Sequence, residues 1–103
     1  MTKEELIKQL KEHLPDEPAS DALIEEMEER YKDDPDLDAQ KIMYWLDESL
    51  YSTLAWHKKH LEMGELKKAD AELARAELVQ DALTWLSGVI QNENASVPGH
   101  TQA

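Results

Sequence analysis

At 103 residues the chain has room for one domain, which excludes a cofactor domain set beside a substrate domain. Its 41% apolar share is enough to form a core, and its 33% charged share leaves a very polar exterior. Eleven Lys and Arg against twenty-three Asp and Glu give a net charge of −12, which argues against contact with bare nucleic acid or an anionic membrane, since both attract basic surfaces.

The hydrophobic pattern predicts an all-α fold of four helices, in which two short N-terminal helices pack on a long antiparallel helical hairpin. Thr2 and Glu5 form a T-x-x-E capping box, and Leu6, Ile7, Leu10 and Leu14 follow at helical spacing until Pro15 stops the first helix. Two prolines and two acids between Pro15 and Ser20 read as a turn. Ser20 is then the expected cap of a second helix with Leu23, Ile24, Met27 and Tyr31 on one side. Asp34 followed by Pro35 predicts the N-cap and first turn of a third helix. That helix should run from Pro35 to Met63, with Gly64 closing it.

In the third helix Ile42, Met43, Trp45, Leu46, Leu50, Leu54, Trp56 and Leu61 cover nearly half the cylinder, more than one partner helix can hide. Tyr44, Tyr51 and Ala55 lie on the other side. A fourth helix is expected from Glu65 to Gln91, with a slowly drifting stripe of Leu66, Ala69, Leu73, Ala76, Val79, Leu83, Leu86 and Ile90. Leu78, Ala82, Trp85 and Val89 form a neighbouring row. So much apolar surface calls for cover by the first two helices and for self-association into a homodimer. Residues 1–91 therefore read as a single helical domain, and residues 92–103, polar and without period, as a flexible tail.

Charge is unevenly placed. From Glu12 to Asp38 twelve acids face two bases, a net of −10, whereas the other 76 residues carry a net of −2. Asp21, Glu25, Glu26, Glu28, Glu29, Asp33 and Asp34 are the candidate partner-binding residues, offering carboxylates to a basic macromolecule in place of nucleic-acid phosphates. Drawn as one straight helix the segment carries one net charge per about 4 Å, against one per about 1.7 Å in duplex DNA, so two aligned copies would approach the density of DNA. A solvated face that keeps a small protein soluble, with Asp34, Asp36 and Asp38 complementing the start of the third helix, accounts for the same residues.

No other pattern carries chemistry. Without cysteine there is no thiolate nucleophile, disulfide or cluster site. Glycines only at 64, 88 and 99 leave no phosphate loop. Asp34, Asp36 and Asp38 have the opening spacing of a calcium loop, but Ala39 and Trp45 stand where Gly and a bidentate Glu are required. His57 and His60, one turn apart, supply two metal ligands of the three or four needed, and Glu62 and Glu65 converge on them only through a bend at Gly64. Ser49, Ser52 and Ser87 sit in no catalytic motif. The expectation is a protein without enzymatic activity or cofactor.

The longest apolar run, Ile42 to Leu46, is far below the roughly 20 residues of a membrane span, and no signal peptide is visible. A cytoplasmic location is the default. In size and charge the chain resembles the small acidic helical proteins that phages and plasmids use to occupy nucleic-acid-binding surfaces of host enzymes. That resemblance implies an inhibitor acting by charge mimicry on a basic protein, without direct contact to nucleic acid. The alternative is a helical adaptor or assembly factor that acts through apolar surface of the hairpin, with acidity serving solubility only.

Overall fold

The computed structural model describes residues 1–95 and is all-helical: α1 (Lys3–His13), α2 (Pro18–Arg30), α3 (Ala39–Glu62) and α4 (Leu66–Ala95). The two long helices pack against each other as an antiparallel hairpin, with α1 and α2 laid against it. Length explains the shape. Helices of 11 and 13 residues reach about 17–20 Å, whereas the 24 and 30 residues of α3 and α4 reach about 36–45 Å, so half of the hairpin has no helix beside it. The molecule is accordingly elongated, 55 × 32 × 23 Å.

Local signals set the helix ends, some of them at positions other than those expected. The Thr2 hydroxyl accepts from the Glu5 amide at 3.2 Å and the Glu5 carboxylate returns the bond, as the capping box predicts. α2 starts earlier than the Ser20 cap anticipates. Glu17 is its N-cap and Pro18, whose fixed φ suits a first helical turn, begins it. Ser20 is thereby drawn inside the helix and buried, and its hydroxyl finds no hydrogen-bond partner among the described residues. A buried unpaired hydroxyl costs about 1–3 kcal/mol. Ser20→Ala should therefore raise stability by ~1 kcal/mol, seen as a melting temperature about 4–8 °C higher. An unchanged or lower melting temperature would contradict this account of Ser20.

α3 starts later than the Asp34–Pro35 pair suggests. Leu37 is buried in the core, so the chain stays non-helical until Asp38, whose carboxylate accepts from the Lys41 amide at 2.9 Å and caps the helix. Asp34 instead accepts from the Asp36 amide at 3.0 Å and pairs with Lys41 at 3.1 Å. α4 continues to Ala95, four residues past the expected end at Gln91, so the first part of the anticipated tail is helical. Residues 96–103 of that tail lie outside the described residues.

The core sits where all four helices meet. Leu6 and Leu10 of α1, Leu23 and Met27 of α2, Ile42 and Leu46 of α3, and Val79, Ala82 and Leu86 of α4 are almost wholly buried there. Trp45 closes one side, edge-on to Tyr31, and Trp85 stacks on His13. Lys3 donates to the Tyr31 carbonyl at the end of α2, placing a cation on a helix C-terminus.

Candidate protein-interaction surfaces

α2 buries Leu23, Ile24 and Met27, so the residues opposite them form its outer ridge. Asp21, Glu25 and Glu28 follow each other at intervals of four and three, with Glu29 beside Glu25, and all four are exposed. These four predicted site residues come together. Nine residues of helix span about 12 Å, so the ridge carries one carboxylate per about 3 Å, sparser than the one charge per about 1.7 Å of duplex DNA.

The other three are placed apart. Glu26 turns to the flank of α2, where its carboxylate meets Arg75 of α4 at 3.0 Å. Asp33 is exposed beyond the end of the helix, and Asp34 is half-buried against Lys41. Lys41 holds the Asp34 carboxyl below the usual range, and the Asp36 amide adds to this. Basic groups border the ridge as well. Lys32 pairs with Glu29 at 2.9 Å, and Lys3, Lys8 and Lys11 of α1 share a shallow groove with Glu28.

On its α2 side the hairpin has an open polar groove. Trp45, Ser49, Ser52 and Trp56 of α3 line it together with Glu72 and Arg75 of α4 and Glu26 and Arg30 of α2. Trp45 and Trp56 thus share a face with both serines, as their spacing of three turns requires. Their roles differ: Trp45 belongs to the core, while Trp56 is about half exposed, tilted against His60 with Lys59 over its ring. Arg75 also donates to the Ser49 hydroxyl at 3.2 Å, which ties α2, α3 and α4 at one point.

Beyond this groove the hairpin runs unsupported to its tip. Small residues allow the two helices to approach there: Ala69 and Ala76 of α4 and Thr53 of α3 are buried. The His57 ring donates through Nδ1 to the Ala69 carbonyl at 2.7 Å. At the turn Gly64 adopts φ 73°, and the Gly64 and Glu65 amides donate to the Leu61 and His60 carbonyls, a paired closure that the predicted Gly64 stop implies. Glu65 then meets His60 at 3.1 Å and Lys68 at 2.9 Å, and its carboxyl is held below the usual range, by Lys68 first and His60 second. His57 and His60 therefore each spend one ring nitrogen on hairpin contacts. Among the described residues no three His, Asp or Glu side chains are grouped to hold a metal ion.

The opposite side of the hairpin is uncovered, mixed in polarity near the root and leucine-bearing toward the tip. Asp47 and Leu50 of α3 line a shallow depression with Gln80, Leu83, Thr84 and Ser87 of α4, which shows that these rows share one face. Leu54 and Leu61 lie seven and fourteen residues beyond Asp47, and Leu73 and Leu66 seven and fourteen before Gln80, so all four continue that face toward the tip. Leu54, Leu61, Leu66 and Leu73 are between 39% and 64% exposed, and Tyr44 and Tyr51 on the α3 edge are 72% and 82% exposed. The predicted excess of apolar surface is thus covered near the root by α1 and α2 and left open elsewhere. Helical periodicity cannot reveal that difference.

Comparisons with protein-family models, curated proteins and solved structures return no match. No described helix is long and apolar enough to cross a membrane.

Proposed function

We propose that this is a non-catalytic protein that binds a basic macromolecular partner through the outer ridge of α2, in the manner of an inhibitor that occupies a nucleic-acid-binding surface. The observation that supports the reading is the alignment of Asp21, Glu25, Glu28 and Glu29 on one exposed helical ridge. A rigid helix holds these carboxylates in fixed register, so a cationic groove meets them without ordering a flexible segment first. The bordering Lys32, Lys8 and Lys11 give the ridge limits and favour a narrow basic groove over a broad basic surface.

Reversing the four ridge residues to lysine moves the formal charge from −12 to −4 while leaving the buried side of α2 intact. Capture of partners on immobilised protein should then fall at least about tenfold at physiological salt, and wild-type capture should fade as salt rises, because exposed charges are screened beyond about 8 Å. Duplex DNA should displace the captured partner. A partner that the reversed variant retains, with its helicity verified by circular dichroism, would overturn this reading.

A second reading has its own observation. The open leucine face of the hairpin suits an adaptor that binds apolar surface, with acidity serving solubility. Tyr51, exposed and outside the core, is its probe; Trp85, stacked on His13 and packed against the core, is not. Assayed at concentrations where the chain is monomeric, Tyr51→Ala should abolish capture under the adaptor reading and leave it unchanged under the acidic one.

A further inference from the structure

We infer that the uncovered face of the hairpin binds a second copy of this chain, with the two-fold axis running along the hairpin so that α3 of one copy lies on α4 of the other. This goes beyond the acidic ridge and does not rest on it, because α2 occupies the other side of the hairpin. Three observations identify the occupant.

Size is the first. A face about 36 Å long and two helices, about 20 Å, wide has a footprint of roughly 700 Å², close to the roughly 800 Å² that each partner contributes to a standard stable interface.

Self-complementarity of shape is the second. Leu50, Leu54 and Leu61 of α3 follow each other at intervals of four and seven, and Leu66, Leu73 and Leu83 of α4 at intervals of seven and ten, spacings that fit the a and d positions with which helices interdigitate in a four-helix bundle. Two hairpins joined on this face complete such a bundle.

Charge supplies the third and favours one orientation through contacts toward the tip, whereas nearer the root Asp47 of one copy would come level with Asp81 of the other. The edge of the face on α3 carries Tyr44, Tyr51 and Lys58, and its edge on α4 carries Asp70 and Glu77, all of them exposed. The His57–Ala69 bond fixes the level of one helix against the other. Lys58 lies within about half a turn of the level of Asp70, and Tyr51 within about half a turn of Glu77. With the axis along the hairpin, the α3 edge of one copy meets the α4 edge of the other at the same level. Lys58 then faces Asp70, and the Tyr51 hydroxyl faces the Glu77 carboxylate. With the axis across the hairpin, α4 would lie on α4 and the Asp70 and Glu77 rows would oppose themselves. Like charges opposed in this way disfavour that arrangement.

Sedimentation equilibrium on the full chain tests this. The wild-type mass should be twice the 11.8 kDa of one chain. Leu54→Glu with Leu73→Glu changes only exposed positions and should weaken association at least about 100-fold with helicity unchanged. Lys58→Glu and Asp70→Lys should each weaken the dimer, and combining them should restore it. A monomer at about 100 µM, well above the micromolar dissociation constant expected even of a weak interface of this size, would overturn the proposal and leave the face to a foreign partner. A dimer that the leucine substitutions leave intact would overturn the face, and failure of the combined charge swap to rescue would overturn the orientation.

Discussion

Leu86→Ala should cost about 3–5 kcal/mol and lower the melting temperature by at least about 12 °C. Leu86 is fully buried at the level where α1 and α2 meet the hairpin, surrounded by side chains from the same core as Leu6, Leu10, Ile42 and Leu46. Truncation there removes apolar burial and leaves a cavity that four packed helices cannot collapse onto without moving apart. The stability of a domain of this size is about 5–15 kcal/mol, so the loss is a large fraction of the whole. Leu66→Ala supplies the comparison. Leu66 belongs to the same apolar stripe of α4 but is 64% exposed in the single chain, so at concentrations where the chain is monomeric its substitution should stay within about 0.5 kcal/mol. Chemical denaturation of the two variants checks both figures, and equal losses would contradict the description of a core confined to the root of the hairpin.

Ala69→Leu should produce the second large loss, about 2–4 kcal/mol, by overpacking. Ala69 has no exposed surface, and its carbonyl receives the His57 ring at 2.7 Å. Three extra carbon atoms at that point separate α3 from α4 and break the bond. Since neither α1 nor α2 braces this part of the molecule, the damage should stay local. Amide hydrogen exchange should accelerate between Thr53 and Ala76 while the amides around Leu46 and Leu86 keep their order of protection. Uniform acceleration along both helices would show instead that the hairpin opens as a single unit.

These two substitutions also show how much of the molecule is legible in its sequence. The helix count, the hairpin, the Thr2–Glu5 box and the Gly64 turn rest on signals a few residues long, and the structure carries them as written. Two starts moved because competing signals lay close together. Pro18 prevails over Ser20 because a proline at the first helical position fixes the backbone before a serine side chain can cap it. Asp38 prevails over Asp34 because burying Leu37 needs a non-helical segment in front of α3. Leu66 and Leu86 look alike in the periodic pattern, since period reports which side of a helix is apolar and says nothing of what covers it. The split among the acidic residues was equally hidden. Glu26 finds Arg75 forty-nine positions away, a pairing that only the assembled fold brings about.

The seating of α2 on one side of the hairpin, with the leucine face on the other, determines what pairing would do to the acidic ridge. Two chains joined through their leucine faces would have their ridges pointing in opposite directions, with the thickness of a four-helix bundle between them. Such a pair does not merge its carboxylates into one denser imitation of DNA. It presents two separate handles held at a fixed spacing, and a partner with two basic grooves at a matching distance would be captured by avidity, the second contact forming at the high effective concentration that the first provides. A partner with a single groove would instead be bridged to another of its kind, so the pair would gather such partners as well as block them.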